Sequence, residues 1–193
     1  MKILKPEQDL LAISILSKCF RENANFRFMF GKNPARWRVR LFLKTCIRHA
    51  RNQQGAYLST DEQGVAFIWC NQTAERRSPL SILQALFIFP LRRVFRISKL
   101  QNKVKNFLPK EPHLYYQFLA VAKNENHLTT IVDLRDHTFG LAESMQLPIY
   151  AQTSNERTKN LYERYGFKSY GEIIFPKMDG KLYFLKRDCH LTA

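Results

Sequence analysis

The side chains with the clearest potential for chemistry lie in one segment of the C-terminal half, residues 147–167. It reads Leu-Pro-Ile-Tyr-Ala-Gln-Thr-Ser-Asn and, four residues later, Asn-Leu-Tyr-Glu-Arg-Tyr-Gly-Phe. The pattern predicts a strand at 149–153 and a helix at 155–165 that is ended by Gly166. Tyr162 in that helix is a phenol, which is a neutral proton donor near pH 7. The alternative is that Tyr162 is a core aromatic on an amphipathic helix.

A second unusual segment is basic. The chain has 31 Lys and Arg against 16 Asp and Glu, a formal net charge of +15, which favours anionic partners such as nucleic acid, membrane, acidic protein or a phosphorylated cofactor. In the predicted helical region 78–108, cations interleave with apolar residues and no acidic residue occurs beyond residue 90 (Arg92, Arg93, Arg96, Lys99, Lys103 and Lys105). This helix either contacts an anionic partner or packs its apolar side on the domain. We find no nucleic-acid motif, so nucleic acid is the less favoured partner.

Other classes of protein are disfavoured by composition. The four cysteines contain no CxxC pair and the five histidines are scattered, so we expect neither a disulfide framework nor a metal site, and a reduced, cytoplasmic setting. We expect no signal peptide and no membrane span, since no apolar run approaches about 18 residues. A length of 193 residues predicts a single domain, 1–193.

The predicted elements alternate between helices and strands. In the N-terminal half we predict helices at 6–19 and from Asn33-Pro34 to about 51, strands at 56–59 and 64–70, and an irregular stretch at 20–32 anchored by Phe26, Phe28, Met29 and Phe30. The C-terminal half reads strand 114–122, helix 129–145, strand 149–153, helix 155–165, and strands 167–175 and 181–186. The first of these strands is almost continuously apolar, which is typical of a strand buried on both faces.

Together these residues resemble the C-terminal half of the GNAT acyltransferase superfamily. The resemblance covers about 114–188 and depends on the 147–167 motif, on Phe118-Leu119-Ala120-Val121 as the central strand, and on the closing strand 182–187. The N-terminal half matches only in element order, with an enlarged helical insertion at 78–108. The resemblance implies an α/β fold (α+β in some schemes). Its central sheet would be mixed and mostly antiparallel, with one splayed parallel strand pair, and flanked by helices.

The resemblance also implies an activity, transfer of an acetyl or other acyl group from CoA to an amine. Acetyl-CoA, as co-substrate, would lie where strands 114–122 and 149–153 part, with its pantetheine arm on the main chain of Leu119, Ala120 and Val121. Asn155 would cap the following helix and touch the cofactor. Tyr162 would protonate the leaving thiolate.

The pyrophosphate loop departs from the family pattern Gln/Arg-x-x-Gly-x-Gly/Ala. That pattern falls on Asn126, His127, Leu128, Thr129, Thr130 and Ile131, so Asn replaces Gln or Arg, and Thr and Ile replace small residues. Glycines let backbone N–H groups approach phosphate, whereas Ile131 adds a branched side chain there. Thr129 would compensate in part by capping the helix or bonding an oxygen. His127 either contacts the phosphate at low pH or is solvated surface.

Two functions therefore stay open. In one, an N-acyltransferase still binds CoA with help from its basic surface, and acts on a small-molecule or protein amine that the insertion would favour if acidic. In the other, a catalytically impaired GNAT-fold module binds or regulates an anionic partner, with peripheral membrane contact as a further alternative. Glu111, Glu125 and Glu172 are candidate bases, but no base is assigned, since water can also mediate the proton removal.

Overall fold

The computed structural model describes residues 1–21, 23–71, 87–89, 91–122, 127–175 and 180–189. Its helices are α1 (Asp9–Phe20, preceded by a 3-10 turn at Pro6–Gln8), α2 (Ala24–Phe30), α3 (Arg36–Asn52), α4 (Leu91–Phe107), α5 (His127–Met145) and α6 (Glu156–Arg164). Its strands are β1 (Lys2–Ile3), β2 (Ala56–Leu58), β3 (Gly64–Cys70), β4 (Leu114–Val121), β5 (Ile149–Thr153), β6 (Lys168–Ile174) and β7 (Lys181–Arg187).

The strands form one seven-stranded sheet in the order β1-β2-β3-β4-β5-β7-β6. Every neighbouring pair is antiparallel except β4 and β5, which are parallel and are joined through α5. This confirms the predicted α/β fold with its mostly antiparallel sheet and single parallel pair. The strand bounds agree with the predictions to within one residue, apart from β1, whose two residues carry too short a pattern to detect.

The two faces of the sheet are covered by different helices. On one face, α1, α2 and α3 enclose a cluster that includes Leu16, Leu43 and Phe67, and α4 packs beside them over β6 and β7. On the other face, α5 and α6 cover a cluster that includes Tyr162 and Leu185. Neighbouring strand residues thus point to opposite layers, as the pleat requires.

The prediction of an irregular stretch at 20–32 is wrong in part, because α2 forms there. Asn23 starts this helix, with its side-chain oxygen accepting hydrogen bonds from the N–H groups of Asn25 (2.9 Å) and Phe26 (3.3 Å). Phe26 and Phe30 lie four residues apart on one side, with ring centroids 4.6 Å apart, and pack into the α1–α3 cluster. Phe28 points the other way and contacts Phe175. The alternating phenylalanines therefore serve a helix that is buried on two sides.

The basic insertion is helical where it is described. Helix α4 buries Leu100 and Val104 against β6 and β7, and the ring of Phe107 stacks on Phe184 with centroids 4.5 Å apart. The apolar side of this helix thus packs on the domain, which is the second of the two interpretations drawn from the sequence. The rest of the expected helical region, 78–86 and Pro90, lies outside the described residues.

Candidate active site

The central feature of the site is the point at which β4 and β5 separate. Their parallel pairing joins Leu114 to Ile149 and ends at Tyr116 and Ala151. Beyond it, β4 continues along β3 as far as Val121, while β5 continues along β7 as far as Thr153. The predicted splayed pair is therefore present, and it leaves main-chain polar groups of two strand ends without their ladder partners.

A β-bulge marks the place of separation. In the β3–β4 register, Phe67 pairs with Phe118 and Ile68 pairs with Tyr116, so Gln117 is an extra residue on β4. An extra residue bends its strand and increases the local twist. Because Tyr116 is also the last β4 residue paired with β5, the bend begins where the parallel ladder stops.

The three residues predicted to bind a pantetheine arm follow this bulge. Ala120 is buried in the α1–α3 cluster, while Leu119 packs partly buried on the α5–α6 side. The carbonyl oxygen of Val121 accepts a hydrogen bond from the Cys19 thiol of α1 at 3.1 Å. One main-chain acceptor of this segment is therefore already engaged by the protein.

Tyr162 lies on α6 beside the point of separation. Its ring centroid is 6.2 Å from that of Tyr116, the last paired residue of β4, and 5.1 Å from that of Phe167. Its side chain is buried, at 8% exposure, and this burial together with neighbouring Tyr116 raises the pKa of the phenol above its usual value near 10. Tyr162 therefore stays protonated across the physiological range, as a proton donor must.

Asn155 caps α6, as the sequence predicted. Its side-chain oxygen accepts a hydrogen bond from the Thr158 N–H at 3.3 Å. Ser154, one residue earlier, donates from its hydroxyl to the Asn23 side-chain oxygen at 3.1 Å. The end of β5 is thereby linked to the start of α2, which places α2 at the rim of the site.

The predicted pyrophosphate segment is largely helical. Helix α5 begins at His127, with Asn126 outside the described residues, so Thr129 lies in the first turn and the expectation that it caps this helix is wrong. Leu128 is 64% exposed and Thr129 is also exposed, whereas Ile131 is half-buried in the second turn. N–H groups at a helix start point along its axis and can face an anion.

Thr130 is held by the protein itself. It is 1% exposed, and its hydroxyl donates to the Asp61 carboxylate at 2.5 Å. Burial opposes ionisation of Asp61, but hydrogen bonds from Ser59, Thr130 and Gln63 outweigh it and hold the pKa of this carboxyl below its usual value. The contact ties the β2–β3 turn to α5 and leaves the Thr130 side chain unavailable to a ligand.

Sequence reasoning missed Gln152, a polar residue of β5 on the face away from α6. Its carbonyl oxygen Oε1 is buried and has no hydrogen-bond partner among the described residues. It lies one position beyond Ala151, where the ladder ends, and pairs across the sheet with Phe184. A polar residue alternating with buried Ile149 and Ala151 is the signal that could have identified it.

Neither of the two candidate bases that the structure describes lies at this point. Glu172 lies on edge strand β6, where the Lys181 ammonium contacts it at 2.8 Å. Glu111 precedes β4, at the end opposite Val121, and Glu125 lies outside the described residues.

Comparisons with known proteins agree on the fold. No family model matches the chain, and no curated protein matches its sequence. Among solved structures, one described as histone acetyltransferase HPA2 and related acetyltransferase, from Corynebacterium glutamicum, is 18% identical, with a TM-score of 0.68 over 100% of this chain and 97% of that one. The C-terminal condensation domain of Ebony, in complex with beta-alanyl-dopamine, is 13% identical (TM-score 0.69, 95% of each chain). Arylalkylamine N-acetyltransferase 2 from Aedes aegypti is 11% identical (TM-score 0.62, 98% of each chain).

These likenesses, with a further one to a member of the GNAT family, show that the chain has the GNAT fold. They confirm the fold that the 147–167 motif indicated. Within the described ranges, no helix has the length and apolarity to span a membrane, and no three His, Cys, Asp or Glu side chains group as metal ligands do.

Proposed function

We propose that the protein is an N-acyltransferase that moves an acyl group from CoA to an amine. The observation that carries this proposal is the separation of β4 from β5 directly beside buried, protonated Tyr162. An extended pantetheine arm is the kind of ligand that supplies hydrogen-bond partners to two such strand ends. Acetyltransferases among the solved structures with this fold support the proposal.

Each residue then has a defined task. The donor supplies a thioester, whose carbonyl carbon forms a C–N bond with the amine as its C–S bond breaks. The N–H groups of β4 near Val121 polarise the carbonyl oxygen, and Tyr162 gives its proton to the departing thiolate. The proton lost by the amine passes to water, and the Tyr162 phenolate regains a proton from water. The unpartnered oxygen of Gln152 accepts a hydrogen bond from the amine N–H and so orients its lone pair.

The phosphate end is the weak part of this site. Thr129 and Ile131 replace small residues, and the Asp61 carboxylate lies against Thr130 in the opening turns of α5. Negative charge close to a helix start opposes the binding of a second anion there. We therefore expect most of the donor affinity to come from the pantetheine arm rather than from the pyrophosphate.

Thermal unfolding with three ligands tests the proposal. A ligand at 100 times its Kd adds about 2.7 kcal/mol to the free energy of unfolding. We expect acetyl-CoA and S-acetylpantetheine, which lacks the nucleotide, to raise the Tm, and 3′,5′-ADP to raise it little. If 3′,5′-ADP matches acetyl-CoA, the shift reports the basic surface alone and the proposal fails.

The second candidate function is a GNAT-fold module that no longer uses CoA. The replacement of small residues by Thr129 and Ile131 favours it. It predicts no Tm change with millimolar acetyl-CoA or S-acetylpantetheine, and no gain from the variant Thr129→Gly/Ile131→Gly. An acyltransferase with a crowded phosphate site instead predicts tighter acetyl-CoA binding by that variant, with S-acetylpantetheine binding unchanged.

A further inference from the structure

A small cavity lies where α2, α3 and α4 meet, apart from the separated strands. Its volume is about 120 Å³, and its lining includes Phe30, Asn33, Phe89 and two arginines, Arg38 and Arg93. Sites for drug-sized ligands measure about 300–1,000 Å³, so this space suits a small ion or one terminal group of a larger molecule.

The two arginines give the cavity its chemistry. The Nε–H of Arg38 is buried and finds no acceptor in the part of the chain that the structure describes. A buried donor without an acceptor is costly, and more so when it is charged. Among the described residues that line the cavity there is no carboxylate, so none of them balances the two guanidinium charges.

The backbone holds Arg93 in this place. Its Nη1 donates to the Met29 carbonyl oxygen at 3.3 Å, at the end of α2. Gly31 follows with φ +88°, and a Cβ at that position would lie 2.6 Å from Arg93 Nη2. Glycine is therefore favoured by the backbone conformation, and its missing Cβ leaves room for the guanidinium.

The start of α3 adds to the positive potential. Ala35 occupies the N-cap position and offers no side-chain acceptor to the first N–H groups of this 17-residue helix. Two guanidinium groups that line one cavity beside a helix start suit an oxyanion, because arginine forms charge-assisted hydrogen bonds whose geometry matches phosphate.

We propose that this cavity binds a small oxyanion, a phosphate or sulfate group, either free or as the terminus of a larger molecule. The tetrahedral anion accepts the unpartnered Arg38 Nε–H and bridges to Arg93. The cavity is distinct from the separated strands and from α6, because none of its lining residues belongs to them.

Isothermal titration with inorganic phosphate tests the site, at an ionic strength held constant with chloride. We expect one phosphate per chain, and Arg38→Gln to weaken its Kd about tenfold or more, the loss of one charge-assisted hydrogen bond. The matched control is Arg40→Gln, an exposed arginine of the same helix with the same change in charge, which should leave Kd within about twofold. Arg93→Gln should behave as Arg38→Gln does.

The outcomes separate the cases. If wild type shows no phosphate binding beyond chloride, or if Arg38→Gln and Arg40→Gln bind equally well, the proposal is overturned. Since Arg93 also bonds Met29, Arg38→Gln decides the matter should Arg93→Gln unfold. Phenyl phosphate titrated in parallel distinguishes the sources: tighter binding than inorganic phosphate indicates a phosphomonoester, and weaker binding indicates the free ion.

Discussion

At the scale of single residues, Tyr162 combines two properties that its position imposes. It is anchored in the α5–α6 cluster by Tyr116 and Phe167, and it lies at the end of the parallel ladder. Burial removes water from around the phenol and raises its pKa, so the same packing that makes it a core aromatic also keeps it neutral, as the proposed role of proton donor requires. The two interpretations of Tyr162 drawn from the sequence are therefore compatible.

Tyr162→Phe should separate binding from chemistry. The ring and its packing remain while the proton is lost, so we expect kcat to fall about 100- to 10,000-fold, the range for general acid catalysis, with the acetyl-CoA Tm shift retained. Steady-state kinetics with an amine panel and thermal unfolding measure the two effects. Tyr165→Phe is the matched control, since Tyr165 contacts the Arg135 guanidinium instead of Tyr116. An equal loss in both variants would contradict the assignment.

Sequence reasoning reached Tyr162 and Asn155 because both belong to one contiguous motif. It could not place Thr130 or Gln152 in the same way. The burial of Thr130 depends on a hydrogen bond to Asp61, which is 69 positions away along the chain. The position of Gln152 in the site depends on where the pairing of β4 with β5 ends. Contacts that depend on the tertiary fold leave no local pattern.

At the scale of elements, the position of α5 on the sheet depends on a glycine. A Cβ at Gly64 would lie 2.6 Å from Thr130 Cγ2 and 2.8 Å from Leu134 Cδ1, both on α5. The bare backbone of β3 thus allows the helix to approach closely, beside the Thr130–Asp61 hydrogen bond.

Gly64→Ala should push α5 away from the sheet. We expect a loss of about 1–3 kcal/mol in the free energy of unfolding, the usual cost of overpacking, measured by urea denaturation. The control is Gly140→Ala on the same helix, where a Cβ meets nothing within 4 Å. Gly140→Ala should raise the free energy of unfolding by up to about 1 kcal/mol, because alanine has a higher helix propensity than glycine. Equal effects at the two glycines would refute the close approach.

Helices and strands with a regular hydrophobic period were predictable from the sequence, whereas α2 was not. Its phenylalanines at 26, 28 and 30 alternate as in a strand, because the helix serves two hydrophobic clusters rather than one. A helical period is visible only when one side is apolar. Asn23, which caps the start of α2, also accepts a third hydrogen bond from Ser154, 131 positions further along the chain.

At the scale of the whole molecule, buried histidines couple stability to pH. His113 is 1% exposed, and burial lowers its pKa below the usual 6.5, against an opposing hydrogen bond to the Glu111 carbonyl oxygen. Burial likewise lowers the pKa of His137. The native protein therefore keeps these side chains neutral at a pH where the unfolded chain protonates them.

The free energy of unfolding should consequently fall as pH drops below about 6.5, because the unfolded state then binds more protons. One histidine contributes at most about 1.4 kcal/mol per pH unit. His113→Asn should flatten the slope between about pH 6.5 and 5, measured by urea denaturation at each pH. An unchanged slope in His113→Asn would disprove the coupling.

The bulge at Gln117 has a further consequence for how this protein can change. Regular alternation would turn Phe118 toward α5, but the inserted residue sends it to the α1–α3 layer and bends β4 away from β5. The separation of β4 from β5 thus depends on one extra backbone residue in β4 and on no reactive side chain. Substitutions at Tyr162 or at the start of α5 leave it intact, so a descendant of this chain would keep the gap between the two strands even if the proposed acyl transfer were lost.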